Sequence, residues 1–559
     1  MSRSLRATVV AATALTVGLL TLAPAHAAKP EPVALSGHLL GGSANEGVAD
    51  AVTGADGSTY VAMSLVGGDF AHDPGGHQGG WDVVVAKLAP NGTDVVWATT
   101  IGGSDNEEVR AIALGPDGHV AIVGSTSSMD FPTTPGAYKS ANTVDDGYVV
   151  RLDGTTGDID WSTLIGGSQV EELLDVAIDA DNRIWTVGDT QSDDYPVSQL
   201  ADGAFQGAAE AVLTGFNPNG TLRYSTMYGG GSWDVFASLG FDAAGDLYAL
   251  GDMPGWTTAK PSTTLGDTDG DDAAVLRFSM GGPSPVLERA TFVGGQGPDH
   301  VGTMAVGPTG SLVIAGYTGT GGMPLVHAFQ DQLGADDSAY LVKLDRTGQA
   351  IVWSTYYGGS SPWIYPMAIR TDAWGATYVS GMSAGTAGQQ VHAVQEGNAG
   401  KTDGFVAKIA ADGRLVFSTY LGGPDTDTVG ALALDRTGVR FAGGAQGPDF
   451  AGLGTVSGAG DGVIGHLAEV ARVTGLKGAA RPKDRTPTFR FEVDLVAAHT
   501  QCKVDRAAWK PCGKRVDATR FTSTELAPGK HVLRVRALSG PHRVAPIAKR
   551  SFRVTGSAS

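Results

Sequence analysis

A glycine pair behind an aliphatic or aromatic strand-forming residue recurs seven times, as LLGGS, TIGGS, LIGGS, MYGGG, FVGGQ, YYGGS and YLGGP. The pairs begin at Gly41, Gly102, Gly166, Gly229, Gly294, Gly358 and Gly422, spaced by 61, 64, 63, 65, 64 and 64 residues. Self-similarity at a near-constant period is the signature of a repeat architecture, so whatever folds here is built from one unit used seven times. With 82 Gly in 559 residues, helix-rich folds are excluded, because Gly at that density destabilises helix interiors. There is no Gly-X-Y period and 42% of the chain is apolar, which rules out collagen and intrinsic disorder.

Each copy carries four short apolar runs, in the second VVWATTI (95–101), VRAIALG (109–115), HVAIVG (119–124) and YVVRL (148–152). Alternation of apolar with polar or small residues, bounded by Gly, Asp, Asn and Pro, predicts strands. GPDGH and its equivalents read as tight hairpin turns. Four antiparallel strands repeated seven times predict a β-propeller, in which radial repetition protects the sheet edges. The small-residue runs (AIAL, DVAI, TMAV, ALAL) suit the crowded strand nearest the axis, and the aromatic run VVWATTI the outer one; the other phase places YVVRL innermost. The seventh copy lacks a following outer strand, and Leu35–Leu40 is expected to supply it, closing the ring.

The residues also resemble a known family. Trp161-Ser162-Thr163-Leu164-Ile165-Gly166-Gly167, Asp130-Phe131-Pro132-Thr133-Thr134-Pro135-Gly136-Ala137-Tyr138 and Phe405-Val406-Ala407-Lys408-Ile409 are similar to the hallmark of the bacterial SBBP repeat, a seven-bladed beta-propeller repeat. The resemblance covers about 35–470 and implies that fold and an extracellular or cell-surface placement, with no established activity. Some copies depart from it: positions equivalent to Trp97 hold Ser36 and Arg289.

Residues 1–27 read as an export signal, with Arg3 and Arg6, an apolar run over 8–22 and the small-x-small pattern Ala25-His26-Ala27. An N-terminal membrane anchor is the other reading of that run. No later stretch reaches the ~20 apolar residues of a spanning helix. From Arg472 to Ser559 there are 19 Lys and Arg against 6 Asp and Glu, a net of +13; residues 28–471 hold 18 against 52, a net of −34. A boundary near 471 is therefore expected, between an acidic propeller (28–471) and a basic module (472–559). The acidic body disfavours nucleic acid as a partner.

The module's strands TFRFEVD, HVLRVRAL and RSFRV, with QCKVDRAAWKPC, resemble the immunoglobulin-like β-sandwiches of secreted bacterial proteins. In an exported protein Cys502 and Cys512 are expected to form one disulfide, stabilising by roughly 2–3 kcal/mol; two free thiols are the alternative. The +13 charge is either a solvated surface or a patch for anionic wall polymers or glycans.

The longest connections join the second and third strands of each copy, so the face they share with the glycine-pair loops is the expected binding face. Trp81, Trp233, Trp256 and the pair Trp363/Tyr365 break the repeat there and are candidate ligand-binding rings, with packing between blades as the alternative. Trp97, Trp161, Tyr224, Trp353 and Phe417 recur in register and read as packing. Asp267, Asp269 and Asp271 read as a solvated acidic turn, with a calcium loop as the alternative, and no other cofactor is expected. The acidic residues before the third strand (Asp82, Asp146, Asp272, Asp337, Asp403, Asp461) read as a shared turn or cap. His72 and His77, with Asp69 or Asp73, read as a solvated loop before a metal site. HExxH, GxSxG and P-loop patterns are absent and no catalytic residue is assigned. A secreted or wall-associated, monomeric, non-catalytic protein that binds a glycan, cell-wall polymer or surface protein is the expectation. A glycan-active hydrolase or lyase using carboxylates in the propeller pocket, and a structural matrix component, are the alternatives.

Overall fold

The computed structural model describes residues 33–555, apart from 41–44, 67–77, 199–204, 257–259, 261, 268–271, 335–336, 360–362, 386–387, 436–437, 448, 455–459, 470–472, 481, 494–498, 514–519 and 539–546. Among the described residues all regular structure is β. Seven antiparallel sheets follow one another over 33–469, six of four strands and one of five. The second sheet is typical: Glu107–Leu114, Val120–Thr126, Asp146–Leu152 and Ile159–Ile165, paired in chain order. Its turns use Gly118 at a positive φ of 86°, which supplies the left-handed residue a tight hairpin needs. The fourth sheet has a fifth strand, Ser262–Gly266, parallel to Val286–Gly294.

In the last sheet Ala431–Leu434, Gly438–Ala445 and Asp461–Glu469 are completed by Val33–Leu40, which runs antiparallel to Asp461–Glu469 with Leu35 opposite Leu467. The first strands of the sheets (Asn45–Thr53, Glu107–Leu114, Glu171–Ile178, Val235–Phe241, Asp299–Val306, Ile364–Thr371 and Ala431–Leu434) touch one another in cyclic order, the last returning to the first. A separate buried cluster lies between each sheet and the next, such as Trp185, Tyr224 and Tyr228 of the third against Phe236, Leu239 and Phe278 of the fourth. The arrangement is propeller-like, with the core distributed between faces of neighbouring sheets and the small-residue strands innermost.

The glycine pair has a steric cause. A methyl on Gly166 would collide with the carboxylates of Asp146 and Glu171, and one on Gly102 with those of Asp82 and Glu107. In five copies the second glycine of the pair donates its N–H to the carboxylate at the start of the next inner strand: Gly103 to Glu107 (2.9 Å), Gly167 to Glu171 (3.0 Å), Gly230 to Asp234 (2.8 Å), Gly423 to Asp427 (2.7 Å), and Gly295 to Asp299. The acidic residues at the third strand are thus buried members of inter-sheet carboxyl pairs that also cap the preceding turn, as expected: Asp82 Oδ2 accepts from the Gln78 N–H (2.9 Å) and Asp403 Oδ2 from the Ala399 N–H (2.8 Å). Asp337 is out of register with them, because Ser338 takes that position.

Residues 473–555 form two further sheets. One joins Val473–Lys477, Thr488–Val493 and Arg520–Thr522; the other joins Lys510–Pro511, His499–Val504, Gly529–Leu538 and Ala548–Val554. They share a cluster of Phe489, Phe491, Leu533, Val535, Phe552 and Val554 with Cys502 and Cys512. Cys502 and Cys512 are joined in a disulfide.

Candidate functional site

Six of the seven inner strands slip register at one equivalent place, adding one residue: Ala49, Arg110, Leu174, Ala237, Gly302 and Met367. A bulge re-aims side chains and sharpens local twist. All six bulge residues line one axial cavity of about 440 Å³, together with Asp50, Asp175, Ser238, Thr303 and Arg370. Glycine opposite the bulge is required where the partner carbonyl comes close: a methyl on Gly188 would strike the Glu172 carbonyl oxygen.

The polar groups in the cavity are already engaged with one another. Asp50 accepts from Arg370 Nη2 (3.0 Å), the Ile112 N–H (3.2 Å) and the Ala51 N–H (2.8 Å). Asp175 accepts from Ser238 Oγ (2.8 Å) and the N–H groups of Leu239 and Val176 (both 2.8 Å). The bonds to Ile112, Ser238 and Leu239 stitch neighbouring inner strands together, and the one from Arg370 ties the sixth sheet to the first. Burial raises the Asp50 carboxyl despite Arg370, and raises Asp175 to about 6. The expected pocket carboxylates therefore exist, but they serve as inter-sheet ties.

Ahead of the bulge, alternation sends the side chain three residues before it inward and the next one to the cavity rim. Glu107 and Glu171 are fully buried, whereas Glu108 and Glu172 stand at the rim, so the two acidic pairs of the sequence split between structure and surface. At the rim Arg110 Nη2 bridges Glu108 (2.8 Å) and Glu172 (3.3 Å). Asp189, opposite Glu172, is 6% exposed, and its carboxyl is pushed up to about 7 by burial, then by Glu172 and Glu171.

The same two positions are both rings in the fifth sheet, His300 and Tyr317, and in the sixth they are Tyr365 and Met382. His300 faces Tyr317 across the fifth sheet, with ring centroids 5.0 Å apart. Tyr317 meets Tyr365 of the sixth sheet edge-on at 4.7 Å, and Tyr365 stacks on Trp363 at 5.1 Å and 13°. Two carboxylates flank this run: Asp252 Oδ2 lies 3.4 Å from His300 Nδ1, and Tyr365 Oη donates to Asp337 Oδ2 at 3.5 Å. Burial raises the Tyr317 hydroxyl, followed by the charge of Asp252 and then by Tyr365 and Asp337. His300 and Tyr317 escaped the sequence reading; their register with the Glu172/Asp189 pair is the signal that finds them.

The remaining candidates scatter. Trp256 is 5% exposed, edge-on to Tyr228 and tilted against Phe292, so it is core and not a binding ring. Trp233 is 51% exposed but stands apart from the ring run. Trp81 is half-buried, and its backbone N–H donates to Asn106 Oδ1 at 3.0 Å. The in-register rings do pack: Trp161, Tyr224, Trp353 and Phe417 are buried, and Trp97 Nε1 reaches the Gly154 carbonyl at 3.3 Å. Asp267 follows the edge strand Ser262–Gly266; Asp269 and Asp271 lie outside the described residues, as do Asp69, His72, Asp73 and His77. Among the described residues there is no group of three or more His, Cys, Asp or Glu placed to hold a metal ion, and no helix is long and apolar enough to cross a membrane.

No family model matches the chain. A curated relative, the regulatory protein FlaEY of Caulobacter vibrioides, is 25% identical over 439 residues, covering 70% of this chain and 43% of that protein. The chain thus spans less than half the length of that relative. Similar solved structures include a fungal alcohol oxidase of the AA5 family in complex with copper (TM-score 0.40, 13% identity, 93% of this chain and 98% of that one). Another is the quinohemoprotein alcohol dehydrogenase of Comamonas testosteroni (TM-score 0.37, 12% identity, 81% and 80%).

Proposed function

We propose that the chain is a secreted, non-catalytic binding protein. In this reading a seven-bladed β-propeller over 28–471 presents a ligand at its rim, and an immunoglobulin-like module over 472–559 acts as tether or spacer. The observation that carries it is the run Trp363–Tyr365–Tyr317–His300 with Asp252 and Asp337 beside it. Aromatic faces stack on the apolar faces of sugars while flanking carboxylates accept hydroxyl hydrogens, so the ligand class is a neutral glycan, borne by a wall or another cell surface. The disulfide and the export-type residues 1–27 agree with an extracellular address. No cofactor is needed.

The test is a glycan array probed with the full chain and with Trp363→Ala and Tyr365→Ala. Saturable binding lost in both variants supports the reading. Binding that survives both, or binding to surface proteins alone, removes the glycan site from the ring run. A second reading, a glycan-active hydrolase or lyase, is favoured by one observation: a carboxyl titrating near 7, Asp189, opposite the rim carboxylate Glu172. Release of reducing ends from a polysaccharide panel, abolished in Asp189→Asn, is its expected outcome; silence across the panel refutes it.

A further inference from the structure

The four-stranded sheet of the C-terminal region has two unlike faces. One packs Cys502, Leu533, Val535, Phe552 and Val554 into the buried cluster. Alternation sends Lys503, Lys530, Arg534, Arg536, Lys549 and Arg553 to the other face, all half-buried or exposed. Their register is unusual. Lys503 stands directly opposite Arg534, Arg534 opposite Lys549, and Lys530 opposite Arg553. Like charges directly opposite across strands destabilise a sheet, and among the described residues no carboxylate lies within ion-pair distance of any of the six. Asp505, the acid at this edge, is taken by His531 Nδ1 (2.7 Å) and the Val532 N–H (2.8 Å).

Three of the cations are held in place. Arg534 Nη1 donates to the Asp505 carbonyl (2.8 Å), and its charge helps to lower the Asp505 carboxyl. Arg536 donates twice to Gln501 Oε1 (2.9 and 2.7 Å) and lies 4.3 Å from the centre of the Trp509 ring, over which Lys503 also sits at 4.8 Å. A guanidinium fixed this way loses little freedom when an anion arrives.

From this face we infer a docking site for a linear acidic polysaccharide, its carboxylates laid along the cation rows. The inference rests on the tether part of the proposed function and names its partner. Charge complementarity calls for a polyanion, and the flat lattice suits an extended chain. Adjacent strands set the row Lys503–Arg534–Lys549 at steps of about 5 Å, comparable with the rise of one pyranose. The face carries one aromatic ring, clamped by two cations, and no protruding apolar cluster of the kind that enters a membrane.

The test uses the full chain and polygalacturonate, measured at low and raised salt, with polyphosphate, duplex DNA and anionic phosphatidylglycerol vesicles in parallel. The variant Lys503→Gln/Arg534→Gln/Lys549→Gln removes the row; Arg346→Gln/Lys401→Gln/Arg414→Gln removes the same net charge from the acidic body. Expected is salt-sensitive binding to polygalacturonate, weakened roughly tenfold or more by the row variant and unchanged by the body variant. The row variant should melt no lower than the parent, because it relieves cross-strand repulsion; if it does melt lower, Lys530→Gln/Arg553→Gln carries the same binding test. Equal binding by the row and body variants, or a preference for DNA, polyphosphate or vesicles, overturns the inference. Trp363→Ala should leave polygalacturonate binding intact, so failure of the rim site and failure of this face read out separately.

Discussion

Asp189→Asn isolates the electrostatics of the rim in one atom exchange. Asp189 is 6% exposed, its carboxyl sits at about 7, and burial is the main cause, with Glu172 and Glu171 adding to it and Arg110 opposing. In the unfolded chain the same carboxyl titrates near ~3.9. The native state therefore binds this proton more tightly than the unfolded state. Its contribution to stability is complete below about pH 4 and is lost as pH rises through about 7. Three units of difference amount to about 4 kcal/mol between the ends of that window. Asparagine carries no charge at any pH and escapes the loss. The variant should match the parent near pH 3 and exceed it by up to about 4 kcal/mol at pH 8. Urea unfolding at the two pH values measures the difference directly. Parallel pH profiles of parent and variant would refute the assignment of a neutral buried carboxyl at Asp189.

Four further variants probe the scaffold. Gly188→Ala places a methyl against the Glu172 carbonyl at the bulge, and should cost about 1–3 kcal/mol in unfolding free energy. Trp256→Ala removes a core ring and should cost about 3–5 kcal/mol, whereas Trp233→Ala, at 51% exposure, should stay within about 0.5 kcal/mol of the parent by the same urea assay. Cys502→Ser/Cys512→Ser opens a loop of sequence separation 10 and should lose about 2–3 kcal/mol, read as earlier protease cutting within 473–555.

The strand periodicity, hairpin turns and missing outer strand were legible because they follow from local chemistry: Gly at positive φ, alternation, and an unfilled edge that only Val33–Leu40 was left to pair. What sat opposite the glycine pair was not legible. Asp146 and Glu171 lie 25 residues apart, and their meeting at Gly166 depends on two sheets being placed side by side. The rim divided the same way. Trp363 and Tyr365 stood out as rings that break the repeat. Trp256 broke it equally, yet it fills a gap among Tyr228 and Phe292. Departure from a repeat marks a position released from the shared packing pattern, and says nothing of whether the side chain points out or in.

The rim supplies that missing direction. The position two residues before the bulge reads Gly47, Glu108, Glu172, Val235, His300 and Tyr365, with Thr428 at its equivalent ahead of the seventh inner strand, while the position just before it is acidic in six sheets out of seven. Packing holds the one constant and leaves the other free, so chemistry on the rim is not explained by the needs of the fold. Tyr317→Ala tests that separation. Tyr317 links His300 to Tyr365; as a half-buried cross-strand partner it should contribute only about 0.2–1 kcal/mol to stability. As the centre of a binding platform its loss should cost more than about 1 kcal/mol of affinity, fivefold or greater. A variant that binds glycan like the parent but unfolds markedly earlier would make the ring run an inter-sheet buttress, and the binding face would have to be sought among the acidic half of the rim, around Arg110 and Glu172.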